Sequence, residues 1–431
     1  MTADDPPNGA AAVLRAVAVA ATAALLSGCM AAGGAPAPAA SVDEVKVGLL
    51  APLAGTASAG RDAERGAQLA AQLVNEDVPS VGLPLAAGRG LPGLGGAKLT
   101  VQSADTGGDA DKAMAQATKL IGDNGVRALV AADTATVTAA VIRRTERQRM
   151  LAVDGTTSAG FLTELGLDWY FRAAPTDKEL AAAAFALLRA QSLKGMAVRR
   201  LAIVAASDQQ AATGTRALRE LADGVGYQVV VSVEFVPGGK EPTAQAKQVR
   251  AATPDAVLVV ADAPEDAAAA VRAVQAKGAP LPIIGLGRGF SDAGFAAAAG
   301  TAGNRLFRVT AWSAELAVRQ PVARSVADLY QQRYGSPMTE AAAGAFTATL
   351  TLAAALDRAG GTDADKIRTA MLGTRLPGSR TIMPWDGVQF GPDGQNALAA
   401  GTVEQLAEDK FRVVFPRELS AAQVEWPGGT S

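Results

Sequence analysis

A short, largely apolar run from Val45 to Ala51 opens the regular pattern of the chain and suits a strand buried on both faces. Pro52 and Gly55 stop it, and a small, polar loop carries through Gly60. Apolar positions then recur at helical spacing, at Ala63, Ala67, Ala70 and Val74. Asp62 and Glu64 fall in the first turn of that helix, where its dipole favours acids. Strand, glycine-bearing loop and helix form the first half of a parallel α/β unit, in which the loop at the strand's C-terminal end faces the ligand crevice. Nothing in this loop is chemically aggressive, which favours binding over catalysis.

The alternation continues to about Ala298. The pattern predicts strands over 98–104, 127–132, 150–153, 169–173, 201–206, 228–235, 256–261, 282–286 and 305–310. Helical spacing lies between most of them, as at 109–121 and 177–190, and two further helices are expected over 318–334 and 341–359. The stretch 381–416 reads as short strands and turns, punctuated by Gly387, Gly391 and Gly394. Residues 79–96, rich in glycine and proline, read as an extended surface loop. Such regular alternation with short connections argues for α/β architecture with parallel, doubly wound sheets. One sheet of that many strands would be unusual, so two lobes are expected.

Composition narrows the chemistry. The chain has 431 residues, a length for two or three domains. The net charge of −2, with no large block of one sign, makes nucleic acid an unsuitable partner. Histidine is absent from the sequence, which removes histidine-dependent triads, histidine metal sites and histidine general bases. The single cysteine, Cys29, rules out an internal disulfide and a cysteine-based cluster. No cofactor and no metal are expected.

Arg15 precedes an apolar run over 16–26, of signal-peptide length and too short to span a bilayer. The run ends in Leu26-Ser27-Gly28-Cys29, which resembles the lipobox of bacterial lipoproteins. That resemblance implies a signal peptide over 1–28, lipidation of Cys29 and a membrane anchor. Residues 29–44, with AAGGAPAPAAS at their centre, have the composition of a flexible linker.

Four stretches, in order, resemble the branched-chain amino acid binding subunits of ABC importers, which are type I periplasmic binding proteins. They are VKVGLLAPLAG with RGAQLAAQLVNE, WYFRAAPTD (169–177), AFTATLTLAAALDRAG (345–360) and WDGVQFGPDGQN (385–396), followed by FRVVFP. The resemblance implies two Rossmann-like lobes joined by three crossovers, closing on a ligand by hinge motion. Lobe one would comprise 45–173 and 309–386, and lobe two 174–308 and 387–431.

It also implies where a ligand is held. Hydroxyls and backbone N–H groups after two lobe-one strands would take a carboxylate, and the matching residues are Thr134, Thr136, Thr156 and Ser158, with Ser58 in the first loop. The plainer readings are an N-cap for Thr134 or Thr136 and turn chemistry for Thr156 and Ser158. Where the family carries an acid for the ligand ammonium, this chain has Arg288, suited to a second carboxylate or to a solvated loop. Asp208 and Asp262, each after a lobe-two strand, are the alternative ammonium partners or helix caps. Aromatics that the family places in the first loop and after the strand ending at Ala206 are missing.

Other motifs carry less. Gly285-Leu286-Gly287-Arg288-Gly289 lacks phosphate-loop spacing, and Gly155 to Gly160 is not a nucleophile elbow. Arg143, Arg144, Arg147 and Arg149 are interrupted by Glu146 and read as a solvated helix face. The expectation is therefore an extracytoplasmic, lipid-anchored and monomeric solute-binding protein, not an enzyme. It would deliver a small, polar, carboxylate-bearing ligand to an ABC permease. A ligand sensor or accessory lipoprotein with the same fold is the alternative, and a carboxylate-based hydrolase is a remote third.

Overall fold

A computed structural model describes residues 42–54 and 58–427. The expected leader, Cys29, the linker as far as residue 41 and Gly55 of the first loop lie outside the described residues.

β1 (Glu44–Ala51) takes up the opening apolar run, and α1 (Ala59–Asn75) follows it. The helix starts two residues earlier than expected, so Gly60 is helical and Ser58 stands at the N-cap position. β2 (Lys98–Asp105), α2 (Ala110–Gly122), β3 (Leu129–Ala131), α3 (Ala135–Arg147), β4 (Ala152–Asp154), a single turn α4 (Phe161–Glu164) and β5 (Tyr170–Arg172) complete the first lobe's leading half. The strands form a parallel five-stranded sheet in the order β2-β1-β3-β4-β5.

α5 (Asp177–Leu193) then opens on a capping box in which Thr176 and Glu179 satisfy each other's backbone N–H. β6 (Arg200–Ala206), α6 (Gln209–Val225), β7 (Gln228–Phe235), α7 (Thr243–Ala251), β8 (Ala256–Val260), α8 (Pro264–Gln275), β9 (Ile283–Leu286), α9 (Phe295–Ala299) and β10 (Phe307–Thr310) follow. The chain next returns to the first lobe through α10 (Ala314–Ala317), α11 (Pro321–Tyr334), α12 (Glu340–Ala359) and α13 (Ala364–Leu372). A two-stranded ribbon, β11 (Leu376–Pro377) with β12 (Gly387–Val388), precedes the last strands, β13 (Thr402–Ala407) and β14 (Lys410–Phe415). The second sheet runs β14-β13-β10-β9-β8-β6-β7, parallel except where β13 pairs antiparallel with β10 and β14. No helix among the described residues is long and apolar enough to cross a membrane.

Two expectations are corrected. Residues 79–96 are not an extended surface loop: they fold into three short 3₁₀ turns that bury Val81, Leu83, Ala86, Leu91 and Leu94 in the first core. The glycines and prolines supply the turns, and the apolar residues between them gain by leaving water. The helix expected from residue 318 begins instead at Pro321, whose missing N–H suits the first helical position, and Val318 is left exposed in the link before it.

Each sheet has its own core, and the cores locate the three crossovers. Phe171 belongs to the first core and Ala181 to the second; Val309 to the second, Ala311 and Trp312 to the first. Val388, Phe390 and Ala399 still pack in the first core, and Val403 joins the second, so the last crossover lies beyond the boundary expected at residue 386. Hydrogen bonds tie the crossovers together. The backbone of Arg172 bonds Gly394 O (2.8 Å) and Asn396 N (2.9 Å), and Thr402 Oγ1 donates to Thr310 O (3.0 Å). Beside them the fully buried Glu404 accepts both Nε and Nη2 of Arg308, at 2.8 and 2.6 Å.

Candidate ligand site

The C-terminal ends of β3 and β4 in the first sheet face those of β6, β8 and β9 in the second, which is where ligands settle in open α/β sheets. β3 runs into Asp133, which is almost fully buried and accepts from Thr134 N (2.6 Å) and from the Thr106 hydroxyl. Burial pushes the Asp133 carboxyl above its usual range, while the Thr106 bond, the Thr134 N–H and the Arg288 charge pull the other way.

β4 ends at Asp154, which is buried and shapes the next turn. Its Oδ1 accepts Thr156 N (2.8 Å), Thr157 N (3.0 Å) and the Thr156 hydroxyl (3.3 Å), and its Oδ2 accepts Tyr170 Oη (3.1 Å). This turn lies hard against α12: a Cβ on Gly155 would stand 2.0 Å from Gly344 O, so only glycine allows the approach. Thr157 Oγ1 donates to Asp133 O (3.3 Å), and Ser158 Oγ donates to Asp177 Oδ1 (2.6 Å).

In the second lobe, β8 leads to Asp262 and β9 to Gly287-Arg288. Gly287 has φ +105°, and a Cβ there would meet Ala261 O at 2.4 Å, so the loop presses onto the end of β8. Asp262 thereby receives both Arg288 N (3.1 Å) and Arg288 Nε (3.2 Å). Asp262, with Asp133 and Asp154 behind it, raises the Arg288 pKa further above its already high value, although its side chain keeps 42% of its surface exposed.

The cleft is lined by Asp133, Ala135, Thr156, Thr157 and Ser158 from the first lobe and by Gln210, Asp262 and Arg288 from the second. Two bonds cross it: Gln210 Nε2 to Ser158 Oγ (3.2 Å) and Thr136 Oγ1 to Gln209 Oε1 (3.1 Å). The space between these residues, about 10 Å³, holds no more than about one water and is too small for a ligand the size of an amino acid. Beneath it Asp177 is held by Ser158 and by the Thr213 hydroxyl, and burial, aided by the charge of Asp262, raises its pKa.

Of the residues expected from the sequence, Thr156, Ser158, Asp262 and Arg288 come together in this cleft. Thr134 and Asp208 cap α3 and α6, accepting from Val137 N (3.4 Å) and Ala211 N (2.8 Å), and neither lines it. Thr136 sits at the rim against Gln209, and Ser58 is exposed at the start of α1. Asp133, Thr157 and Gln210 line the cleft without having been singled out. For Asp133 the signal was its place directly after a strand, one residue before the threonine chosen instead; Gln210 stands in the stretch noted only for lacking an aromatic.

Two lobes, three crossovers and a cleft at facing strand ends define a two-lobed solute-binding protein. The sequence profile described as periplasmic binding protein matches residues 44–407, and the chain belongs to that family. The chain is 28% identical over 331 residues to the Leu/Ile/Val-binding protein BraC3 of Rhizobium johnstonii, covering 76% of this chain and 83% of that one. A leucine-binding protein of Thermotoga maritima matches with a TM-score of 0.71 at 20% identity, over 86% of this chain and 97% of its own. A solute-binding protein of an R. palustris ABC transporter, solved with benzoate, matches with a TM-score of 0.67 at 18% identity, over 86% and 95%.

Proposed function

We propose that this protein is an extracytoplasmic, lipid-anchored binding protein that captures a small, polar, carboxylate-bearing ligand of the amino acid kind and presents it to an ABC permease. The observation that carries this reading is the cleft itself, whose lining is contributed by strand ends of both lobes. A ligand seated there bridges the lobes and favours the closed state by its differential affinity for it. Its carboxylate suits the guanidinium of Arg288, a planar donor fork, and its ammonium suits Asp133 and Asp262. The binding reading needs no chemistry from the protein, and delivery follows from reopening.

Ala135 is the one apolar residue of the lining among the described residues, which disfavours a leucine-sized aliphatic side chain. The same feature is what favours a second reading, a ligand sensor or accessory lipoprotein no longer devoted to branched-chain amino acids. A thermal-shift screen of the full chain against amino acids, dicarboxylates, amides and aromatic acids tests the proposal. A ligand at a hundred times its dissociation constant adds about 2.7 kcal/mol, which raises the midpoint visibly. If no compound in these classes raises it, the binding reading fails.

A further inference from the structure

Resting on that reading, we infer that the ligand brings more than one positive charge: it is a basic zwitterion, with an ammonium or guanidinium on its side chain in addition to the α-ammonium. Acceptors outnumber donors around the cleft. An ionised carboxylate only accepts, so each hydroxyl bonded to one must give its proton to it. Thr156 gives its proton to Asp154 and Ser158 gives its proton to Asp177, while Thr157 gives its own to the carbonyl of Asp133. All three hydroxyls that line the cleft are therefore turned so that lone pairs remain for a ligand. The one side-chain amide of the lining, Gln210, spends one of its two N–H donors on Ser158, and a single neutral N–H remains.

On the charged donor side stands Arg288. Its backbone N–H and Nε are committed to Asp262, and its two terminal nitrogens carry no hydrogen bond among the described residues. They are enough for one carboxylate and no more.

The charges agree with this account. Asp133 and Asp262 line the cleft, Asp154 and Asp177 lie directly behind its hydroxyls, and Arg288 faces them. Behind the cleft, Arg172 is fully buried and occupied by Ala159, Thr163 and Gln395. A neutral amino acid leaves acceptors unmatched and negative charge in excess. A second cationic group reduces both, and the absence of an aromatic or aliphatic wall costs such a side chain nothing.

Calorimetric titration of the full chain with L-arginine, L-lysine, L-leucine and L-glutamate tests this. The expected result is binding of arginine or lysine at least roughly tenfold tighter than leucine, with glutamate weakest, and a loss of about tenfold or more in Asp262→Asn that Asp262→Glu partly restores. Leucine or glutamate bound as tightly as the basic pair overturns the inference while leaving the binding reading intact. Silence toward both arginine and lysine also overturns it, and the wider thermal-shift screen then decides the binding reading separately.

Discussion

Replacing Arg172 with methionine tests how much of the fold depends on the crossovers. The side chain is fully buried at the end of β5. Its Nε donates to Gln395 Oε1 (2.7 Å), Nη2 to Thr163 Oγ1 (3.0 Å) and Nη1 to the carbonyl of Ala159. Gln395 in turn donates to Ala174 O (2.9 Å), so one guanidinium links the first crossover, the last crossover and the loop behind the cleft. Methionine fills much of the same volume and supplies no donor. It strands the Ala159 and Gln395 oxygens, at about 1–3 kcal/mol for each buried group left unpaired. It also removes the cation that steadies the buried Asp177. Breaking a buried charged cluster from one side costs about 3–5 kcal/mol, a large part of the roughly 5–15 kcal/mol typical of a folded protein. Urea unfolding of Arg172→Met, followed by circular dichroism and by tryptophan fluorescence, should show that loss as a lower midpoint. Arg172→Lys, which keeps the charge but not the planar fork, should fall between the two. A loss under about 1 kcal/mol in the methionine variant would refute the reasoning, since no buried oxygen could then have been left unpaired.

Two further outcomes follow from residues outside the cleft. Asp105 holds the start of the first loop through Leu53 N (2.8 Å) and Ala54 N (3.1 Å), and it pairs with Lys112. Lys112 foremost, then these backbone N–H groups with that of Gly107, holds its carboxyl well below the usual range. A carboxyl depressed in the folded state stabilises above its unfolded pKa, and that contribution is lost as pH falls toward the folded value. Asp105→Asn should accordingly be less stable than wild type at neutral pH, with the gap closing in acid; a gap constant across a pH series of urea curves counts against this. For the proposed anchor, Cys29→Ser should move the protein from the membrane fraction of expressing cells to the soluble one, and retention on the membrane would remove the lipid from the picture.

Strand placement was legible because each parallel strand is a short apolar run between helices of clear periodicity, and such runs are buried on both faces. β7 (Gln228–Phe235) lies where the pattern put it, and most of the others are within a residue or two. The stretch 79–96 was not legible, because what orders it is distant in sequence: Gly93 N, for example, bonds Asp357 Oδ1 at 2.6 Å. The cleft was legible in part, by the rule that strand ends face it. That rule cannot tell Thr134 and Asp208, which cap helices, from Thr156 and Asp262, which line the space, since the same polar residue types suit both places. The partner of Arg288 was not legible, because β8 and β9 lie side by side only in the folded sheet; they bring Asp262 to it, which changes the balance of charge around it.

That balance also bears on how a ligand would move the lobes. Ser158 lines the cleft from the first lobe, yet its hydroxyl is given to Asp177, the first residue of the helix that opens the second. Asp177 N returns a bond to Ser158 O (2.7 Å), and the other carboxylate oxygen takes the Thr213 hydroxyl on α6, the helix that carries Gln210 to the cleft. One carboxylate at the exit of the first crossover thus fixes a lining residue of each lobe. A ligand that takes the remaining lone pair of Ser158 leaves the Gln210 bond in place, and it favours closure only by adding contacts to Asp262 and Arg288 in the second lobe. Since a ligand shifts a conformational equilibrium only by its differential affinity, a group that meets Ser158 alone would hold the lobes no more closed than Gln210 already does. Effective ligands must therefore reach across to Asp262 and Arg288 in the second lobe.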